Sequence, residues 1–135
     1  MTSDTWRPGQ PVNWEKPGEL FTAGGLHSFV LETTGAKTGQ LRRAVLGYLE
    51  APEGWLIIGS MGGAPRNPAW VHNLAAHPEA TVVLADGERE PVRAEPLSGE
   101  ALRDAWQRID REAPEYADYR SKTERDIPVI RLQRG

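Results

Sequence analysis

Apolar and polar positions along this chain alternate with a short period over most of its length and with a helical period in two places. Residues 28–32 (Ser-Phe-Val-Leu-Glu) read as a first strand. The strand runs into Thr33-Thr34-Gly35-Ala36-Lys37-Thr38-Gly39, a turn-rich connection broken by Gly35 and Gly39. A second strand is predicted over residues 43–50. Ala51-Pro52-Glu53-Gly54 then turns the chain into a third strand, residues 55–60, so uniformly apolar that burial on both faces is expected. Residues 81–85 make a fourth strand. Asp86-Gly87 is a hairpin signal, and beyond it Val92 and Ala94 fall on one face while Arg93 and Glu95 fall on the other. Residues 127–132 make the last strand.

The helical period appears first after Gly62-Gly63-Ala64-Pro65-Arg66-Asn67-Pro68. Asn67 is placed to cap a helix whose first position is Pro68, and the helix is expected to reach Ala76 and stop at Pro78. Ser98 is placed to cap a second helix, with Ala101, Leu102, Ala105, Trp106 and Ile109 as its apolar stripe. Pro114 ends that helix or starts a short third one carrying Tyr116 and Tyr119. Tight turns between strands make antiparallel neighbours. The pattern therefore predicts a mainly β domain: about six mostly antiparallel strands in a barrel, with two to three helices packed outside. Residues 1–26 hold Pro8, Pro11 and Pro17 and read as an arm, with Trp6, Trp14, Leu20 and Phe21 available to pack on the domain or on a lipid surface. Residues 27–135 read as a single domain.

Composition narrows the chemistry. With 135 residues there is room for one such domain. There is no cysteine, which removes disulfides, thiol nucleophiles, iron–sulfur ligation and the common zinc clusters. His27, His72 and His77 are not spaced as a metal pair, so no metal is expected. The formal net charge of −3 argues against a general nucleic-acid binder. No apolar run approaches the roughly 20 residues of a membrane span, and no secretory signal opens the chain. A cytoplasmic location follows, with peripheral membrane contact and a homodimer both left open.

Against the acidic total, the middle of the chain is basic. Between Lys37 and His72 stand Lys37, Arg42, Arg43 and Arg66, against Glu50 and Glu53. Gly62 and Gly63 lack side chains that would block a ligand, and the helix behind them turns its N–H groups toward the same spot, as an anion site requires. Arg66 adds a full charge. The same pattern also describes an ordinary loop before a capped helix. Likewise Lys37-Thr38-Gly39-Gln40-Leu41-Arg42-Arg43 is either a phosphate-gripping turn or a solvated hairpin tip. Tyr116 and Tyr119, three apart on one helical face, either meet a bound ring or pack in the core. Rossmann, nucleophile-elbow and calcium-loop signatures are absent.

Taken in order, these pieces resemble the deazaflavin (F420)-dependent nitroreductase family. The matching segments are Leu31-Glu32-Thr33-Thr34-Gly35-Ala36-Lys37-Thr38-Gly39 with Arg42-Arg43, then Gly62 to Trp70 with His72-Asn73-Leu74, then Tyr116-Ala117-Asp118-Tyr119 and Thr123 to Val129. The likeness covers about residues 29–132. It implies a split β-barrel, the fold of the flavin-binding pyridoxamine-phosphate oxidase superfamily, and coenzyme F420 as cofactor. Lys37, Arg42 and Arg43 would meet its phosphate and polyglutamate tail. Gly62, Gly63, Ala64, Pro65 and Arg66 would pass close to the deazaflavin, Ser60 and Met61 would border the ring, and Trp70 belongs to the same block. The reaction implied is hydride transfer from F420H2 to a quinone-like, nitro or other electron-poor organic acceptor, with Tyr116 as proton donor and Tyr119 beside it. One turn before Tyr116, where some members have another aromatic, this chain has Ala113, which reshapes the acceptor pocket. An FMN enzyme of the same fold and a non-catalytic F420 carrier are the alternatives.

Overall fold

The structure is a computed structural model and describes residues 11–20, 26–60, 66–123 and 126–135. Its strands are β1 (Ser28–Thr34), β2 (Leu41–Gly47), β3 (Leu49–Ala51), β4 (Gly54–Ile58), β5 (Glu79–Val83), β6 (Arg89–Pro96) and β7 (Val129–Arg134). Its helices are α1 (Ala69–Ala76), α2 (Gly99–Glu112) and α3 (Glu115–Ser121). The strands form one sheet in the order β2-β1-β5-β6-β7-β4-β3, and every neighbouring pair is antiparallel. The mainly β, antiparallel expectation holds, with three helices.

The second predicted strand is two strands. The chain bends at Tyr48, leaves β1 and pairs with β4 instead. The two edges of the sheet are thus one residue apart in the chain, which curls the sheet into a barrel. Period-two patterning could not reveal this, because the bend changes the partner without inserting a turn signal. At the bend the Tyr48 N–H donates to His27 O (3.0 Å), and its ring stacks on Phe29 with centroids 4.7 Å apart.

Alternation along the strands sorts the core into three clusters. The inside of the barrel holds Phe29, Leu31, Trp55, Ile57, Val82, Val92, Ala94, Ile130 and Leu132, with Trp70 and Leu74 of α1 packed among them. The opposite face of β4 and β7 contributes Leu56, Ile58 and Val129, covered by Trp106 and Ile109 of α2 and Tyr116 of α3. The outer face of β1, β2 and β5 contributes Val30, Val45 and Val83, covered by Val12, Trp14 and Leu20. Trp14 and Leu20 therefore pack on the domain; Trp6 and Phe21 lie outside the described residues.

Two helix details differ from expectation. Pro68, not Asn67, is the N-cap of α1, with an extended ψ of 154°. The proline still precedes the first helical turn, its carbonyl accepting from Val71 N–H (3.0 Å). In α2 the buried stripe is Ala105, Trp106 and Ile109, with Leu102 half-buried against it. Ala101 lies at the edge of that stripe and is exposed. Ser98 is the N-cap of α2, without a side-chain capping bond.

Candidate functional site

The antiparallel topology gathers distant segments at one end of the barrel. β1 ends there and β2 begins. β4 ends there at Ile58, opposite Val129, where β7 begins. The 35–40 turn, the segment after β4 and the approach to β7 consequently share this mouth. Gly59 N–H donates to Pro128 O (2.9 Å), and a Cβ on Gly59 would lie 2.8 Å from the Pro128 ring. Glycine lets these two segments touch.

The 35–40 turn is compact. Gly35 N–H donates to Gln40 O (2.8 Å), and Gly39 N–H returns to Gly35 O (2.9 Å). Gly39 has φ of +72°, a conformation that favours glycine. A Cβ on Gly35 would lie 2.6 Å from Thr38 Oγ1 and 3.6 Å from Arg42 Nε. Lys37 is exposed at the tip.

Arg42 and Arg43 separate. On β2, Arg42 shares a face with Ala44 and Leu46, which pack on the inner cluster. Arg43 shares the outer face with Val45. There its Nε donates to Glu32 Oε2 (3.2 Å). Arg89 donates to both oxygens of the same carboxylate, and Glu32 is 5% exposed. Burial alone would raise the pKa of Glu32. The hydrogen bonds from Arg89 and Arg43, with their charges, outweigh it and hold the carboxyl below the ordinary carboxylate value. Arg43, expected to grip a ligand tail, is thus engaged in an ion triad on the outer face, because a strand turns consecutive side chains to opposite sides. Lys37, Arg42 and Arg66 have no carboxylate partner among the described residues.

Of the remaining candidates, Ser60 is buried at the exit of β4, and Arg66 is exposed three residues before α1. Trp70 is 8% exposed and belongs to the inner core. Met61, Gly62, Gly63, Ala64 and Pro65 lie outside the described residues. Tyr116 is buried in the cluster that contains Ile58 and Val129, the strand ends at the mouth, and Ile127 just before β7. Its ring meets Tyr119 edge-on, centroids 5.3 Å apart. The Tyr119 hydroxyl donates to Glu115. Burial and this carboxylate push the Tyr119 phenol well above the ordinary tyrosine range. Ala113 is fully buried in the same cluster. No group of His, Asp or Glu able to hold a metal occurs among the described residues.

One residue was not assigned a role from the sequence. Asn73 lies on the buried face of α1 between Trp70 and Leu74. Its Nδ2 donates to Thr33 Oγ1 (3.1 Å), and its Oδ1 accepts from Ala36 N–H (2.9 Å). An amide at helical spacing within an apolar face was the available signal.

Lys37 and Arg42 at the mouth, and Arg66 before α1, are cations without a carboxylate partner among the described residues, a setting that suits an anionic ligand. The F420H(2)-dependent quinone reductase family profile matches residues 14–134. The chain belongs to this family. It is an F420-dependent oxidoreductase, and its implied cofactor fits the cations found at the mouth. Over 110 residues it is 40% identical to an F420H(2)-dependent quinone reductase of Mycobacterium tuberculosis, an alignment covering 79% of this chain and 73% of the relative. A solved structure of an F420-H2 dependent reductase is 33% identical with a TM-score of 0.69, covering 78% of this chain and 93% of that one. A structure described as a domain-swapped dimer has 33% identity and a TM-score of 0.70, covering 78% of this chain and 79% of that one. A pyridoxamine 5'-phosphate oxidase-like structure from Listeria innocua, 10% identical with a TM-score of 0.54 over 79% of this chain and 82% of that one, shares the split-barrel fold.

Proposed function

We propose that the barrel mouth holds reduced F420 by Lys37, Arg42 and Arg66 and presents it to a quinone-like acceptor, with nitro and other electron-poor organic compounds as further acceptors. The carrying observation is the division of charge. Arg43 is paired to a buried carboxylate, while Lys37 and Arg42 at the mouth and Arg66 before α1 have no carboxylate partner among the described residues. Arginine suits two-point contact with phosphate or carboxylate oxygens, and lysine supplies a point charge. F420H2, when bound, supplies a hydride; the acceptor takes it together with a proton.

The protein's own task is orientation and protonation. Ser60, buried where β4 leaves the barrel, and the 61–65 segment after it border the ring in this reading. Tyr116, packed beside the mouth, protonates the acceptor. Tyr119 is a poor donor, since its hydrogen is committed to Glu115 and its phenol is pushed up. Residues 27–135 form the cofactor-binding domain. Residues 1–26 form an arm whose residues 11–20 cover the outer face of β1, β2 and β5, while Leu26 at its end packs in the cluster beneath α2 and α3. No helix among the described residues is long and apolar enough to cross a membrane; a cytoplasmic location and pairing of two copies belong to the same proposal.

The test is a fluorescence titration with F420, with FMN in parallel, followed by F420H2 oxidation with quinone and nitro acceptors. The reading expects binding to F420, little to FMN, and turnover with a quinone. Tyr116→Phe should lower kcat by roughly 100-fold, the lower end of what a positioned acid contributes, with F420 affinity unchanged. Tight F420 binding without turnover on any acceptor would make the chain a carrier instead.

A further inference from the structure

The internal hydrogen bonds of the 35–40 turn fix its shape but not its position over α1. Position comes from Asn73, which is 7% exposed. A backbone N–H can only donate, so the bond from Ala36 requires the amide oxygen, and the amide nitrogen is then directed at Thr33 Oγ1. Thr33 is 3% exposed and belongs to β1. One side chain thus ties the helix, a central strand and the turn together. Ala36 immediately precedes Lys37, so the same tie holds the Lys37 turn against α1.

We propose that Asn73 is a positioning residue for the cofactor: it clamps the Lys37 turn to α1 and so preorganises the cationic mouth. The proposal rests on the reading of that mouth as the F420 site. Without the clamp, the turn keeps its internal bonds but must be ordered when ligand binds, and this ordering is subtracted from affinity. The effect falls on binding and not on the chemical step.

The experiment uses the full chain and three versions of it: unsubstituted, Asn73→Leu, which removes both bonds at similar volume, and Thr33→Val, which removes only the amide's anchor and keeps the shape. Hydrogen exchange of residues 35–40 is followed without ligand, F420 affinity by fluorescence titration, and kcat at saturating F420H2. Asn73→Leu should speed exchange across 35–40 while β4 and β7 stay protected. It should weaken F420 by about tenfold, the loss of one good hydrogen bond's contribution, and leave kcat within about twofold. Thr33→Val should act in the same direction with a smaller effect, and it keeps the test decisive if Asn73→Leu fails to fold. Unchanged exchange at 35–40 would overturn the clamp. Faster exchange with unchanged affinity would overturn its role in binding. Failure of the unsubstituted protein to bind F420 would instead overturn the reading of the mouth, and would show in the titration alone.

Discussion

Along β2, Arg42 faces the inner side of the barrel at its mouth, beside Gly35 and Thr38, whereas Arg43 faces outward and donates to the buried Glu32. The two side chains are adjacent in sequence and carry the same charge. One is part of the fold, bound with Arg89 into a triad next to Val30, Val45 and Val83; the other is left at the mouth beside the turn that carries Lys37. The difference teaches that a basic run does not measure a binding site. In a strand, half of such a run is directed away from any one face. On the proposed reading, what marks the site is charge that the fold has not neutralised.

Trp70 sharpens the same contrast most severely. It is part of the family block in sequence but packs inside the barrel, so Trp70→Ala should cost about 3–5 kcal/mol, read as a lowered denaturation midpoint, before any effect on ligand. Lys37→Ala combined with Arg42→Ala should do the reverse. Each loses a charge-assisted contact of about 1.5 kcal/mol, so F420 affinity should fall about 100-fold in a titration while thermal stability stays within error. Glu32→Gln should cost about 2 kcal/mol and leave F420 affinity nearly unchanged. Its pH dependence has a definite sign. The folded-state pKa of Glu32 lies below the ordinary glutamate value of 4.5, so the triad's contribution is present in full above that value and is lost as pH falls through the depressed pKa. The stability difference between the native chain and Glu32→Gln should therefore be flat from pH 6 to about pH 5 and shrink in more acidic buffer. The smallest effect belongs to Tyr119→Phe. Loss of its bond to Glu115 should cost about 1 kcal/mol and leave kcat within about twofold.

Much of the barrel was legible because its strands are bounded by strong punctuation. Asp86-Gly87 turns as expected, with Gly87 at φ of +90° and Glu88 N–H donating to Asp86 Oδ1 (2.9 Å). The bend at Tyr48 was not legible, since partner exchange between the two sheet edges depends on long-range pairing. At the mouth, the segments after β1 and β4 could be named from sequence, but the roles within them could not. Arg42 and Arg43 are told apart only by register: Arg43 stands opposite Glu32. In sequence Asn73 is, with His72, a polar residue in an otherwise apolar helix; its two partners, 37 and 40 residues away, come together only in the fold. Glu32 gave a similar hint, an acid following an apolar run, whose partner Arg89 lies 57 residues on.

The most direct test of the charge division is a side-by-side F420 titration of the unsubstituted chain, Arg42→Ala and Arg43→Ala. The account predicts that Arg43→Ala binds within about threefold of the unsubstituted chain, while Arg42→Ala binds about tenfold more weakly. Loss of affinity in Arg43→Ala with Arg42→Ala unaffected would contradict it.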